Sequence, residues 1–456
     1  VYGDVSDFSF EAASTLAPGF TAISGGGSYD EAFTCALDVN GKAWCWGLNG
    51  DGQLGTGDEV DSTTPVAVSG NKTFTALAAG YAHVCAIDTA GAAWCWGDGG
   101  DGALGTGNTT DYPTPTAVTG GPSFTQISAG YGHTCAIATN GTGWCWGYGS
   151  SGQLGTEAGE DSSAPVAVAM PTDVTFTQIS AGEEFSCALG SDDEVYCWGY
   201  GANGSLGNGN DSDAPTPTQV EAEGKTWTRI ASASGSNQHM CAIATGGSAW
   251  CWGPNGSGEL GNDSEDAYAP TEVGGSHTFT DISVGTEFTC ALASGGAAWC
   301  WGDGGEGQLG NSGNDDSSVP VAVSESGSYV RLTAAAYHAC AIDADGQGWC
   351  WGSDYEGQLG NDEAKVASSV PVKVLQDIGS GGGGGATLTE KINEYLTSDS
   401  SDKRALLQSA ALLESGNCSP LKSFSNLLKK LVKKGELTQA QANELNQLAV
   451  ESCTSG

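Results

Sequence analysis

Fourteen of the sixteen cysteines in the 456-residue chain fall into seven pairs whose members stand ten residues apart. Cys35 goes with Cys45, Cys85 with Cys95, Cys135 with Cys145 and Cys187 with Cys197. The same interval joins Cys241 and Cys251, Cys290 and Cys300, and Cys340 and Cys350. Such pairs can form disulfides or hold a metal. In the first pair the two thiols are symmetric about Asn40, so Val39-Asn40-Gly41 reads as a three-residue hairpin turn with glycine in the left-handed position. That register sets the cysteines directly opposite each other on antiparallel strands, where Cα atoms of a non-hydrogen-bonded pair lie roughly 4.5 Å apart, within reach of a disulfide. Closing an eleven-residue loop contributes roughly 2–3 kcal/mol in the chain-entropy picture. Zinc sites favour C-x2–4-C spacing with a second pair nearby, so a ten-residue interval repeated seven times points to disulfides instead. The remaining cysteines, Cys418 and Cys453, bracket a helical stretch and are read as a staple for its ends.

Other residues have chemistry to offer. His83, His133, His239 and His338 each stand two residues before a cysteine, a place taken by Phe33, Phe185 and Phe288 in three repeats. Four imidazoles related around a ring could converge on a metal, but interchange with phenylalanine suggests a packing position. Acidic stretches such as Asp58-Glu-Val-Asp61, Asn210-Asp-Ser-Asp213, Asn262-Asp-Ser-Glu-Asp266 and Asn314-Asp-Asp316 are rich in the oxygen ligands that calcium takes. None has the Asp-x-Asp-x-Asp-Gly register with a distal glutamate. No cofactor is therefore expected, with calcium as the one candidate ion. Gly50-Asp-Gly-Gln-Leu-Gly55 fits the dinucleotide pattern G-x-G-x-x-G, yet it leads into an acidic loop and a proline rather than a helix, and reads as a turn. No nucleophile elbow, zincin helix, P-loop or paired-carboxylate signature is present. Eight Asn-x-Ser/Thr sequons occur, among them Asn71, Asn108, Asn140 and Asn255.

The elements that must position these groups repeat about every fifty residues. A unit opens with an apolar strand such as Phe74-Thr-Ala-Leu-Ala-Ala-Gly80, continues through His/Phe-x-Cys-Ala-Ile/Leu and a polar turn to Trp/Tyr-Cys-Trp-Gly, and ends in Gly-x-Leu-Gly, an acidic loop and Pro-x-x-Val. Four short strands per unit at this period indicate a β-propeller blade, and seven units close a ring with few free edges. The tryptophans of Trp-Cys-Trp, such as Trp44 and Trp46, alternate with the cysteine and lie on the opposite strand face, set to pack between blades or to offer a sugar- or protein-binding surface.

Two segments, Ala79-Gly-Tyr-Ala-His-Val-Cys-Ala-Ile87 and Trp96-Gly-x-x-x-x-Gly-x-Leu-Gly105, resemble the regulator of chromosome condensation repeat, and the resemblance recurs seven times across residues 20–378. It implies a seven-bladed β-propeller with the histidine as part of the repeat pattern. It does not single out a function, because propellers of this family serve as exchange factors, inhibitors and scaffolds. The cysteines depart from the pattern, occupying places the family usually fills with apolar core residues.

Charge and compartment narrow the function. Residues 1–385 hold 7 Lys and Arg against 46 Asp and Glu, whereas residues 386–456 hold 8 of each, so the first region carries the whole excess of −39. Such a surface repels nucleic acid and anionic membranes, which argues against the chromatin-binding role known in the nuclear branch of the family. No run of eighteen apolar residues exists, so no membrane span is expected. An even cysteine count in a regular framework implies an oxidising compartment, and a start at Val1 reads as a processed mature chain, extracellular or at the cell surface.

Composition changes after the linker Gly379-Ser-Gly-Gly-Gly-Gly-Gly385. Thr387-x-x-Glu390 and Thr438-x-x-Gln441 read as capping boxes, and Ser419-Pro420 opens a helix whose Leu421, Phe424, Leu427, Leu428, Leu431 and Val432 form an apolar stripe with Lys429, Lys430, Lys433 and Lys434 off it. The fold expected is thus mainly β, a seven-bladed β-propeller followed by a small α-helical C-terminal domain. Its parts are an N-terminal arm (1–19), the propeller (20–378), the glycine-rich linker (379–385) and the helical domain (386–456). The function expected is that of a secreted, non-enzymatic structural protein. It would form a homo-oligomer or polymer (a fibre, sheath or surface layer) through its arm and tail. The alternative is a secreted propeller that binds or inhibits an extracellular protein or glycan through one face, and a third reading is a hydrolase or lyase built on a loop calcium site.

Overall fold

Short strands rich in Thr, Val, Ile and aromatic residues, cut by glycine turns, fold in every repeat into one four-stranded antiparallel sheet. The computed structural model describes residues 19–376 except 29, 30, 223, 234, 236, 237, 325, 326, 363 and 364, together with positions 392, 403, 406, 409, 421–434, 437, 438, 441 and 445. Blade 1 consists of β1 (Phe20–Gly26), β2 (Phe33–Asp38), β3 (Ala43–Gly47) and β4 (Ser62–Ala67), hydrogen-bonded in that order. Blades 2 to 7 repeat the pattern over residues 74–117, 124–167, 176–219, 227–272, 279–322 and 329–373. The first strands of successive blades neighbour one another around the ring, and the first strand of blade 7 returns to β1. The chain is therefore a seven-bladed β-propeller, and each blade is built from consecutive strands with none exchanged across the seam.

The hairpin between the second and third strands sets the register. Gly41 takes φ +74° in the β2–β3 turn, and its amide closes on the Asp38 carbonyl at 2.9 Å. Cys35 then faces Cys45 in blade 1, and the equivalent hairpins set Cys85 against Cys95, Cys135 against Cys145 and Cys187 against Cys197. In blades 5 to 7, Cys241 faces Cys251, Cys290 faces Cys300 and Cys340 faces Cys350. All seven pairs are disulfide-bonded with Cα atoms 4.0–4.1 Å apart. That separation is slightly shorter than the 4.5 Å or so expected of the register, and all fourteen sulfurs belong to fully buried residues. Cys418 and Cys453, the arm up to residue 18 and the linker lie outside the described residues.

Interblade packing rests on the second tryptophan of Trp-Cys-Trp-Gly. Trp46, Trp96, Trp146, Trp198, Trp252, Trp301 and Trp351 are fully buried, and each packs on the aromatic residue that opens its own blade, as Phe20 does on Trp46 at 5.7 Å between centroids. Burying one such ring contributes roughly 4–6 kcal/mol before the entropy of ordering is subtracted. Each indole Nε1 then donates to the carbonyl of the variable residue in the preceding blade's Gly-x-Leu-Gly, from Gln53 O (3.0 Å from Trp96) round to Gln358 O (2.8 Å from Trp46). The last glycine of that element is required by contact as well as by its turn. A Cβ on Gly55, which has φ +70°, would lie 2.8 Å from Trp96 Nε1. The seam uses the same bonds, and Phe20 N adds one to Gly346 O at 2.8 Å.

Outside the propeller unit, Leu16–Asp377, the described C-terminal residues include helix α1, Leu421–Lys434. Phe424, Leu428 and Leu431 are buried on it, while Lys422, Lys429, Lys430, Lys433 and Lys434 are exposed. Thr438 and Gln441 form a reciprocal capping box, the Thr438 amide donating to Gln441 Oε1 at 2.9 Å and the Gln441 amide to Thr438 Oγ1 at 3.2 Å. Among the described residues no helix is long and apolar enough to cross a membrane.

Candidate interaction surface

The meander sorts the loops of every blade between two faces. Connections after the first and third strands emerge on one face; the hairpins after the second strand and the links to the next blade emerge on the other. Twenty-seven described carboxylates, Glu259 and Asp354 among them buried, belong to the loops of the first face against one lysine, Lys365, which pairs with Glu356 at 3.3 Å. The other six basic residues of 1–385 (Lys42, Lys72, Lys225, Arg229, Arg331 and Lys373) sit on the hairpin face or at its end of the first strands. The propeller is thus electrostatically two-sided.

Some of these acids have structural work within their loops. Asp61, Asp111, Asp161, Asp213, Asp266 and Asp316 each accept a backbone N–H near the start of their own loop at 2.9–3.0 Å. Others crowd one another. Burial raises the Asp51 carboxyl above its usual range, and Asp98, Glu31, Asp111 and Glu59 raise it further. Burial likewise raises Asp98 and Asp303, with hydrogen-bonded partner carboxyls in Asp111 and Asp316. Beyond burial, the neighbouring carboxylates raise each of these carboxyls, as a negative local potential does.

At the centre of this face the loops after the first strands bring together Tyr81 and Tyr131, with ring centroids 4.2 Å apart. The Tyr81 hydroxyl is raised by burial and by its hydrogen bond to Glu31. The Tyr131 ring is 40% exposed, and its amide is bonded to Gly182 O, one residue from Glu183. Glu183 is raised by burial, while Gln238 donates to it at 3.1 Å. Aromatic faces beside carboxylates attract a cationic side chain from a partner.

The four repeat histidines are spent elsewhere. His83, His133, His239 and His338 are buried, and each Nε2 meets a hydroxyl of the following blade: Thr134 (2.9 Å), Ser186 (2.8 Å), Thr289 (2.8 Å) and Thr34 (2.8 Å). Each hydroxyl donates its own proton to the carbonyl that also receives the indole, for example Ser186 to Gln153 O at 2.9 Å. It must therefore accept from the histidine, which fixes the neutral Nε2–H tautomer. Burial lowers His83 to about 4 and His133, His239 and His338 to about 3. The pairing was present in the sequence as a correlation between neighbouring repeats. Wherever a repeat has histidine the next has Thr or Ser one place later, and after Phe33, Phe185 and Phe288 the next repeat has Val84, Met240 and Ala339.

Among the described residues no group of three or more His, Cys, Asp or Glu side chains is arranged to hold a metal ion. The G-x-G-x-x-G segments are the indole-accepting turns described above. The first tryptophans of Trp-Cys-Trp are less buried than the second in most blades, and several are covered by cations, Lys72 over Trp94 at 3.2 Å and Lys225 over Trp250 at 4.0 Å. The sequon Asn255 donates its side-chain amide to Asn262 O and Ser264 O.

The family model described as RCC1-like domain matches residues 11–331. Among solved structures, human WBSCR16 is 20% identical with a TM-score of 0.66, the match covering 74% of this chain and 94% of that one. Prp20p from Saccharomyces cerevisiae, studied for its binding to Gsp1p and histones, is 19% identical with a TM-score of 0.65, covering 75% and 87%. The yeast RCC1 (Prp20) bound to Kap60 is 18% identical with a TM-score of 0.66, covering 80% and 86%. At these identities the likeness concerns the fold. No curated protein matches the chain.

Proposed function

This chain belongs to the RCC1-like domain family, and on that premise we propose that it is an interaction protein that works outside the cell and joins copies of itself head to tail. The acidic face of one propeller receives the lysine-rich helix α1 of the next, building a fibre, sheath or surface layer. The observation that supports this most is the charge asymmetry. Most of the described acid, 27 of 38 carboxylates, stands on one face, whereas β1 begins and the last strand, Ser368–Lys373, ends on the other. Phe20 and Lys373, the first and last strand residues of the propeller, therefore lie on the face opposite the acidic one, so an attachment there that met the acidic face of another copy would make a heterologous, non-closing contact. Seven buried disulfides support an oxidising compartment. The family's propellers are generally binding or regulatory rather than catalytic, and no catalytic role is proposed.

The Tyr81/Tyr131 pair beside Glu31 favours a second reading, in which the acidic face captures a basic segment of a foreign protein. Negative-stain electron microscopy at low salt, of the full chain and of the full chain carrying Lys429→Glu, Lys430→Glu and Lys433→Glu, separates the two. Filaments or sheets that the triple substitution abolishes are expected. Single rings in both samples would reject self-assembly and leave the foreign partner.

A further inference from the structure

The chain has three arginines, Arg229, Arg331 and Arg404, and the two that fall within the propeller line one cavity. The cavity, of about 500 Å³, opens at the hairpin face between blades 5, 6 and 7 and is walled also by Asp281, Leu292, Ala293 and Tyr329. Arg229, Asp281 and Arg331 occupy the same place in three successive repeats, the third residue of the first strand. Equivalence by repeat is what brings them to one rim.

Their charges do not cancel. Arg229 Nε donates to Asp281 Oδ1 at 2.7 Å, with the arginine side chain 43% and the aspartate 13% exposed. Arg331 donates to the Val330 carbonyl at 2.8 Å and, among the described residues, has no carboxylate partner. In a protein with an excess of −39, carboxylates to neutralise a guanidinium are abundant, yet this one faces a cavity instead. A guanidinium fork matches the two oxygens of a carboxylate or phosphate. The volume is within the range of small-molecule sites, roughly 300–1,000 Å³. The acidic remainder of the propeller disfavours an extended polyanion.

We propose that this cavity binds a small oxyanion, a carboxylate or phosphate on a compact organic body, with Arg331 as the anchor and Arg229 as a second donor, partly neutralised by Asp281. The site is independent of the acidic face and of assembly.

Three arginines give three guanidinium Nε–H resonances, so the site can be read directly by ¹⁵N NMR of the full-length protein carrying Lys429→Glu, Lys430→Glu and Lys433→Glu, which keeps it as single rings. Sodium acetate and inorganic phosphate are titrated separately at constant ionic strength. The Arg229 and Arg331 signals are expected to shift saturably while that of Arg404 does not, with phosphate tighter for a phosphate ligand and acetate tighter for a carboxylate. Arg331→Ala should weaken binding at least about tenfold, and Asp281→Asn, which frees Arg229 from its competing carboxylate, should tighten it about three- to tenfold. Shifts that never saturate, that survive Arg331→Ala unchanged, or that weaken in Asp281→Asn would overturn the proposal.

Discussion

His133 shows how a single buried side chain constrains its neighbours in this protein. Its Nε2–H is held by the Ser186 hydroxyl at 2.8 Å, and Nδ1 has no partner in the core. Removing the acceptor alone, by Ser186→Ala, strands a buried donor and should cost about 1–3 kcal/mol. Replacing both partners, His133→Phe with Ser186→Ala, recreates the combination that Phe288 and Ala339 already use between blades 6 and 7, so it should recover much of that loss. Urea unfolding of the singles and the double gives the coupling, and additive losses would count against a specific pair. The same pair makes a pH prediction. His133 titrates near 3 when folded but near 6.5 when unfolded, so below about pH 6.5 the unfolded chain binds more protons and stability falls. The wild type should therefore lose stability relative to the double variant as pH drops from about 6.5 toward 3, by at most about 1.4 kcal/mol per unit for this one histidine. Curves that run parallel would mean that His133 is not held neutral.

At the scale of the element, each disulfide lies within one hairpin and ties no blade to another. Cys135→Ala with Cys145→Ala removes a short-loop constraint worth roughly 2–3 kcal/mol. In a repeat architecture that loss should stay local. Hydrogen exchange is expected to quicken in strands His133–Ala138 and Gly143–Gly147 while blades 5 to 7 keep their protection; faster exchange around the entire ring would show that the disulfides support the closed propeller as one cooperative unit. The interblade links come from different elements, the Gly-x-Leu-Gly turn and the indole. The turn was legible in the sequence as a turn, but its partner was not, because Gln53 and Trp96 are 43 residues apart and meet only when blades stack.

For the whole molecule the dominant fact is an excess of −39 gathered mostly on one face. Like charges this close oppose the compact state, and salt screens them over about 10 Å at 0.1 M. Raising sodium chloride from about 0.02 to 0.5 M should raise the Tm by several degrees, whereas association through the acidic face should weaken over the same range. A Tm that falls with salt would mean that ion pairs, not repulsion, govern stability here.

Hydrophobic period, cysteine interval and turn residues are local properties, so the sequence by itself determined the repeat, the blade and the number of blades. It also held the correlation between each histidine and the hydroxyl of the next repeat, although only the stacked blades turn that correlation into a hydrogen bond. Other features depended on how the chain closes in space. Which loops share a face follows from the meander, and that sorting separates most of the carboxylates from the lysines. The meeting of Arg229, Asp281 and Arg331 at one rim follows from the curvature of the ring, which brings residues about fifty apart within reach of one ligand. Composition could count these charges, but tertiary structure alone decided where they stand.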